Sequence, residues 1–243
     1  GWVQQWQAPL EKADLLALAA HPDDEILFLG GTIPYYAGEM GKAVQVAYLV
    51  PTMPYRRLEL LDGLWLCGVR NYPILGHFPD QFQLTLKGMY AQKGWSRESV
   101  YRFVTEVYRA CRPDVVVTQD VNGEYGHGAH RAAADAAQAA VALAADASYQ
   151  KKMAHSEPWQ IKKLYIHLYE QNPVKMDWRK PLAAFEGRTA FDVACRAFAC
   201  HVSQQKTDYH VEDFGPYDNS RFGLAFSAIG EDARKDDFFE HVE

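Results

Sequence analysis

Apolar and polar stretches alternate along the chain in lengths typical of short buried strands and amphipathic helices. The compact apolar runs at residues 15–20 and 43–50 predict two strands, and the leucines of residues 56–67 recur at the helical period. Further strands are predicted at residues 72–75, 114–118, 164–169 and 224–229, and further helices at residues 32–40, 96–111, 132–147 and 189–203. This alternation predicts an α/β fold: a Rossmann-like, mostly parallel sheet with helices on both of its faces.

The composition is that of a globular chain with one sizeable core. Of the 243 residues 48% are hydrophobic, and no repeat or linker interrupts them, so a single domain over residues 1–243 is predicted. A net charge of −6 with scattered basic residues argues against nucleic acid as a partner. No apolar run reaches the roughly 18 residues of a membrane span, so we expect a soluble protein. The sequence leaves open whether it is cytoplasmic or secreted, although a start at Gly1 instead of Met favours secretion. It indicates no oligomeric state.

The loops after the predicted strands hold the candidate chemistry, because ligand sites of open α/β sheets form at the carboxyl ends of the strands. A dinucleotide-binding protein would carry a glycine-rich turn after its first strand, whereas this chain has His21-Pro22-Asp23-Asp24-Glu25. Three carboxylates beside one imidazole are unfavourable unless a cation lies among them. Helix capping is the alternative explanation, and it accounts for one carboxylate only.

A second cluster, His127 and His130, ends the loop after the strand predicted at residues 114–118. Two histidines and one carboxylate, drawn from these two clusters, form a mixed ligand set that suits Zn²⁺, and three protein ligands leave a position for water. The sequence therefore predicts a catalytic metal site. Residues 76–95, which show no clear period, are predicted to form a long functional loop at the same edge. Five other histidines are expected to need no role: His77, His155, His167, His210 and His241.

These motifs resemble those of the PIG-L/LmbE family of zinc-dependent N-acetylglucosaminyl deacetylases. The family signature A-H-P-D-D-E is met by residues 20–25 and its H-x-x-H by residues 127–130. The resemblance covers about residues 15–205, and three weaker features fit: Arg56-x-x-Glu59, Tyr125 two residues before His127, and His201-x-Ser203-Gln204. Two departures concern substrate choice. The family often has Pro-Asp where this chain has Gly128-Ala129, and residues 76–95 match no family pattern.

The resemblance implies an amidohydrolase that removes the acetyl group from an N-acetylglucosamine-type sugar or conjugate and releases acetate and a free amine. It implies one Zn²⁺ per chain, held by His21, Asp24 and His130. It further implies Asp23 as general base and His127 beside the substrate carbonyl. Two other side chains are candidates at this site: Tyr125 as a second oxyanion donor, and Arg56 either as a contact to a sugar hydroxyl or anionic group of the substrate or as a solvated residue at a helix start.

Two other functions remain possible at this point. A non-catalytic carbohydrate-binding domain could keep its metal for structure alone, although such a site has no need of Asp23. Two histidines and a carboxylate also form the triad of mononuclear Fe(II) enzymes, but those triads usually lie on a jelly-roll sheet with an early H-x-D. The H-P-D-D order after a strand of an α/β chain favours the hydrolase.

Overall fold

The computed structural model describes residues 3–51, 53–149, 154–155 and 157–243. Within them one sheet of seven strands is formed by β1 (Leu15–Ala19), β2 (Val44–Tyr48), β3 (Ile74–Leu75), β4 (Val115–Thr118), β5 (Lys163–His167), β6 (Pro173–Lys175) and β7 (Arg221–Ser227). The α-helices are α1 (Asp24–Leu27), α2 (Pro54–Leu66), α3 (Leu86–Tyr90), α4 (Arg97–Cys111), α5 (Gly128–Ala145) and α6 (Ala190–Phe198). Shorter turns are the π-helix Pro34–Glu39 and the 3₁₀ turns Glu124–Gly126, Ala183–Phe185, Val202–Gln204 and Gly215–Tyr217.

The strands lie in the order β3-β2-β1-β4-β5-β7-β6. Those from β3 to β5 are parallel, and β7 runs antiparallel to both of its neighbours. From β1 the chain continues to β2 and β3 on one side and then returns to β4 on the other side. The strand order therefore reverses between β1 and β4, and such a switch point is where open α/β sheets bind their ligands.

The side chains of β1 alternate between two helical layers. Leu15 and Ala17 belong to a core with residues of α2 and α6, whereas Leu16 and Leu18 belong to a core with residues of α4 and α5. All five residues of β1 are buried. A strand covered on both faces has to be apolar throughout, which is why the sequence shows an uninterrupted apolar run here.

Local signals define the two long helices behind the sheet. Ser96 begins α4 with a capping box, in which its side chain accepts from Ser99 N and the Ser99 side chain accepts from Ser96 N. The alanine-rich α5 follows from the high helix propensity of alanine, and its small side chains let it pack closely against α4.

The predicted α/β class is confirmed, including the mostly parallel sheet and the helices on both faces. Three predicted elements need correction. Residues 76–95 are not a loop throughout, because α3 forms there with Thr85 as its cap. The helix predicted at residues 32–40 contains a π-helix, and the helix predicted at residues 189–203 ends at Phe198, before a separate 3₁₀ turn.

Strand β6 was missed by the sequence prediction. It has three residues, begins with Pro173 and lies at the sheet edge, where a proline is tolerated because its missing N–H faces away from the ladder. Among the described residues, no helix is both long enough and apolar enough to cross a membrane.

Candidate active site

Two loops at the carboxyl edge of the sheet bring the predicted motifs together. The H-P-D-D-E motif follows β1, and the H-x-x-H motif follows the loop after β4, with His127 as the N-cap of α5 and His130 in the first turn of that helix. Gln119 ties the two strand ends, because its Oε1 accepts a hydrogen bond from Ala20 N at 2.7 Å. One residue earlier, Thr118 Oγ1 donates to Leu18 O at 2.9 Å. The motifs are thus held side by side at the switch point.

Asp24 lies at the centre of the resulting cluster. Its Oδ2 is 3.1 Å from His21 Nδ1 and 3.3 Å from His130 Nε2, and it also accepts from His21 N at 2.8 Å. Ligand atoms of His21, His127 and His130 lie within 4.8 Å of one another. All four side chains are buried. The three predicted ligands therefore come together, with His127 beside them.

The spacings from Asp24 to the two histidines are those expected between ligands of one metal ion. Bonds of about 2.0–2.1 Å from Zn²⁺ to nitrogen or oxygen place neighbouring ligand atoms about 3.3 Å apart. The two distances from Asp24 Oδ2, 3.1 and 3.3 Å, are close to that value. The donors are imidazole nitrogens and a carboxylate oxygen, a set that binds borderline divalent cations. The cluster can therefore hold a divalent metal ion.

Groups of opposite charge face each other within the cluster. Burial would raise the pKa of Asp24, but the neighbouring His130 and His21 outweigh it and lower this pKa. Burial would lower the pKa of His130, but Asp24 and Glu124 outweigh it and raise this pKa. The surroundings of Asp24 thus favour a positive charge, which a divalent cation at this position would supply.

Asp23 lies beside the cluster in a strained backbone conformation. Its φ of 112° is rare for a residue other than glycine. Glu25 Oε2 accepts from Asp23 N at 2.9 Å, while Arg56 Nη2 donates to Asp23 Oδ2 at 3.1 Å and to Pro22 O at 2.6 Å. Burial and the charge of Asp24 raise the pKa of Asp23, and Arg56 opposes them. Asp23 is therefore fixed through both its backbone and its carboxylate.

His127 and Tyr125 each present a polar hydrogen to the cluster. His127 Nδ1 accepts from Ala129 N at 3.2 Å, so the ring hydrogen lies on Nε2. Burial lowers the pKa of His127 to about 3, and the nearby His130 and His21 add to this effect, so the ring is neutral. The Tyr125 hydroxyl is 3.5 Å from His130 Nε2, and burial raises the pKa of Tyr125, so the phenol keeps its hydrogen.

Two of the three weaker features of the resemblance, Arg56-x-x-Glu59 and His201-x-Ser203-Gln204, meet in the fold. Glu59 of α2 accepts hydrogen bonds from Ser203 N at 2.8 Å and from Ser203 Oγ at 2.6 Å. His201 is fully buried, with its Nε2 3.7 Å from Glu25 Oε1. Gly63 of α2 permits the close approach of His201 to this helix, because a Cβ at Gly63 would lie only 3.3 Å from His201 Nε2. The segment after α6 thus fixes the helix that carries Arg56.

Exposed aromatic rings border the open side of the site. Phe82 is 65% exposed, and its ring centroid lies 5.2 Å from that of His127. Tyr209 is 45% exposed and stacks on Tyr125 with a centroid distance of 5.3 Å. Asp80 lines the same pocket. The cluster of histidines and Asp24 is therefore flanked by two aromatic rings and a carboxylate that solvent can reach.

Gly128 docks the segment of residues 76–95 against the start of α5. Its N–H donates to Gln83 O at 2.6 Å. A Cβ at this position would lie 2.9 Å from the same oxygen and 3.1 Å from Met89 Cβ. Proline, which the family often has here, lacks the N–H that makes this bond. The departure from the family pattern thus coincides with a contact that brings Phe82 next to the cluster.

The fold and the site together define the class of the protein. It is an α/β protein with a buried cluster of histidines and an aspartate at its switch point, and a further carboxylate lies beside that cluster. The PIG-L family, described as GlcNAc-PI de-N-acetylase, matches residues 16–141, and this chain belongs to that family. The predicted family membership is thereby confirmed.

Relatives named 1D-myo-inositol 2-acetamido-2-deoxy-alpha-D-glucopyranoside deacetylase align with much of the chain. The protein from Rhodococcus erythropolis is 27% identical over 285 aligned positions, which cover 93% of this chain and 96% of that one. The protein from Streptomyces scabiei is 32% identical over 177 positions, 62% of this chain. That alignment spans 54% of the Streptomyces protein, about half of its length. The predicted enzyme class agrees with these names.

Solved structures share the fold at low sequence identity. The N,N'-diacetylchitobiose deacetylase from Pyrococcus horikoshii has a TM-score of 0.55 and 21% identity, over 82% of this chain and 73% of that one. The 4-carboxy-2-hydroxymuconate hydratase GalB from Pseudomonas putida has a TM-score of 0.54 and 16% identity, over 92% of this chain and all of that one. A deacetylase and a hydratase have this fold, so the reaction has to be argued from the site.

Sequence analysis missed two residues behind the cluster: Glu124, which contacts His130, and His167, which contacts Glu124. Glu124 lies in the loop that carries His127 and His130, and its position there was an available signal. His167, expected to need no role, ends β5 and contacts Glu124 from 43 residues away. No spacing rule predicts that contact. The expected contact of Arg56 with substrate stays a prediction, since the structure shows it bound to Asp23 and Pro22.

Proposed function

We propose that residues 1–243 form a single zinc-dependent N-deacetylase domain, which hydrolyses the amide of an N-acetylglucosamine-type sugar or conjugate to acetate and a free amine. The observation that carries this proposal is the buried carboxylate of Asp23, held by Arg56 beside the His21, Asp24 and His130 cluster. A metal kept only for structure has no need of a positioned base next to it. The names of the relatives, which act on a 2-acetamido-2-deoxy-glucopyranoside, support the same reaction.

We assign one Zn²⁺ per chain to His21, Asp24 and His130. His127 is left out of the ligand set because its Nδ1 accepts from Ala129 N and its Nε2 carries the ring hydrogen. Neither nitrogen then offers a free lone pair. When bound, zinc supplies Lewis-acid polarisation of the amide carbonyl and makes water easier to ionise.

The side chains around the cluster then carry the proton transfers. Asp23 accepts a proton from the attacking water and later delivers it to the leaving amine. The positive charge of Arg56 favours the ionised form of Asp23 that this role requires. His127 Nε2–H donates to the oxyanion that develops on the carbonyl oxygen, and the Tyr125 hydroxyl is a second donor.

The open side of the pocket suits a sugar. Phe82 and Tyr209 offer ring faces against which the apolar face of a pyranose can pack, and the carboxylate of Asp80 can accept from its hydroxyls. The substrate is thus a small molecule or glycan that carries an N-acetylamino sugar. Arg56 would contact a sugar hydroxyl only through a nitrogen other than the Nη2 that binds Asp23.

The test is acetate release from N-acetylglucosamine, N,N'-diacetylchitobiose and an N-acetylglucosaminyl inositol, with the protein first stripped by a chelator and then reloaded with zinc. We expect acetate only from the reloaded protein, while the de-N-acetylated sugars serve as controls that yield none. Sugar binding without acetate release on any substrate would favour the carbohydrate-binding alternative. Turnover that needs iron and oxygen would favour the Fe(II) alternative.

A further inference from the structure

We propose that His167 is a positioning residue for the metal ligand His130 and acts on it through Glu124. The proposal rests on the assignment of His130 as a zinc ligand under the proposed function. His167 ends β5, the strand next to β4, and is not among the residues that face the pocket. Its influence on the metal therefore has to pass through another side chain.

Glu124 bridges His130 and His167 on the buried side of the proposed metal site. Its Oε2 lies 2.8 Å from His130 Nδ1 and its Oε1 lies 2.6 Å from His167 Nδ1. All three residues are fully buried, with no exposed surface. Solvent cannot replace either hydrogen bond, so the position of each ring depends on the shared carboxylate.

The carboxylate of Glu124 accepts further hydrogen bonds from the β4 end. Asp120 N donates to Oε1 at 3.1 Å, and Gln119 Nε2 lies 3.4 Å from Oε2. Each oxygen of the carboxylate thus already accepts from an N–H of the β4 end, and it faces the two histidines as an acceptor as well. His130 Nδ1 then carries the hydrogen of this contact, and His130 Nε2 is the nitrogen that faces Asp24 and would bind the metal.

The second nitrogen of His167 also faces an acceptor. Its Nε2 lies 3.1 Å from the backbone oxygen of Asp218, which cannot donate. The ring of His167 is therefore held at both nitrogens, by Glu124 at Nδ1 and by the backbone of Asp218 at Nε2. These two contacts fix the orientation of the ring, so His167 can hold Glu124 in the position from which it contacts His130.

Two substitutions separate this role from simple packing. In His167→Asn the side-chain nitrogen replaces Nδ1 and keeps the donor to Glu124, whereas in His167→Gln it replaces Nε2 and keeps only the Asp218 contact. We expect His167→Gln to weaken zinc binding by about 10- to 100-fold in a chelator competition, the usual effect of losing such an outer contact, and His167→Asn to bind within about threefold of the wild type.

The melting temperature of each metal-free protein is measured in parallel. Equal zinc affinities for the wild type and both variants would overturn the proposal. The proposal would also be overturned if both variants lost zinc affinity equally and in proportion to their loss of melting temperature. A wild-type protein that binds no zinc would overturn the proposed function as well.

A second measurement needs no variant. In nitrogen-edited NMR of the zinc-loaded wild-type protein, His130 should carry its hydrogen on Nδ1, and His167 should carry a hydrogen on the Nδ1 that faces Glu124. A His167 ring without a hydrogen on Nδ1 would contradict the proposal.

Discussion

Arg56 Nη2 donates a hydrogen bond to Asp23 Oδ2 at 3.1 Å, so the arginine at the start of α2 holds the carboxylate beside the metal cluster. The same nitrogen donates to Pro22 O, which ties the arginine to the backbone that presents Asp23. Burial and Asp24 raise the pKa of Asp23, and Arg56 counters them. The arginine therefore has a part in the proposed chemistry that does not depend on substrate contact.

Removing the charge of Arg56 should shift the pH dependence of catalysis. In Arg56→Met the pKa of Asp23 rises, so the fraction of ionised base falls at a given pH and the acidic limb of the kcat/KM profile moves to higher pH. Arg56→Lys keeps a positive charge and should shift this limb less. An unchanged acidic limb in Arg56→Met would show that the contact does not control the base.

The proposed base and the proposed ligands should separate by metal content. Asp23→Asn should keep one zinc per chain and lose about 10²- to 10⁴-fold in kcat, the usual contribution of general-base catalysis. Asp24→Ala and His130→Ala should lose zinc, because each removes one of three ligands. Elemental analysis beside the acetate assay checks both. Loss of zinc in Asp23→Asn would make Asp23 a ligand instead.

His127 should affect the rate without affecting the metal. Removing one oxyanion donor typically costs about 10²- to 10³-fold in kcat, so His127→Ala should show that loss with zinc stoichiometry and KM little changed. His127→Gln is the matched control, since its amide nitrogen stands where Nε2–H stands and should restore part of the rate. Equal losses in the two variants would remove the donor role, and loss of zinc in both would make His127 a ligand.

The segment at residues 76–95 is predicted to decide substrate range, and its packing determines how to test this. Phe78, Met89 and Trp95 are buried in the core, so shortening the whole segment would disturb the fold. Gly128→Pro removes the hydrogen bond to Gln83 O and places a Cβ close to that oxygen, so it loosens the docking without shortening the segment and should raise KM on glycan substrates while zinc content stays the same. The KM values for a monosaccharide and a disaccharide test this. Unchanged values for both would show that the docking has no part in recognition.

The sequence was sufficient to predict those elements that depend on signals within a few neighbouring residues. The apolar run of β1, the serine cap of α4 and the alanines of α5 each act over a few residues and need no knowledge of the rest of the chain. The two metal-site motifs could be paired because parallel strands end at the same edge of a sheet. The class of fold and the pairing of the two motifs followed from these features, whereas the individual ligands around Asp24 were implied by the resemblance to the family.

Contacts between distant residues could not be predicted in the same way. The hydrogen bonds from Ser203 to Glu59 join positions 144 residues apart, and the bond between His167 and Glu124 joins positions 43 residues apart. Both depend on the tertiary arrangement of elements whose local patterns say nothing about their partners. Strand β6 was not predicted for a related reason. It is a strand because it pairs with β7, and its own sequence carries no strand pattern.

The most direct test of the central claim is a zinc titration of the metal-free protein, followed by acetate release from an N-acetylglucosaminyl substrate. Three ligands around one position predict that the metal-free protein is inactive and that the rate rises linearly until one equivalent of zinc per chain is present. A rate that is already full in the metal-free protein, or that stays at zero after one equivalent has bound, would contradict the account.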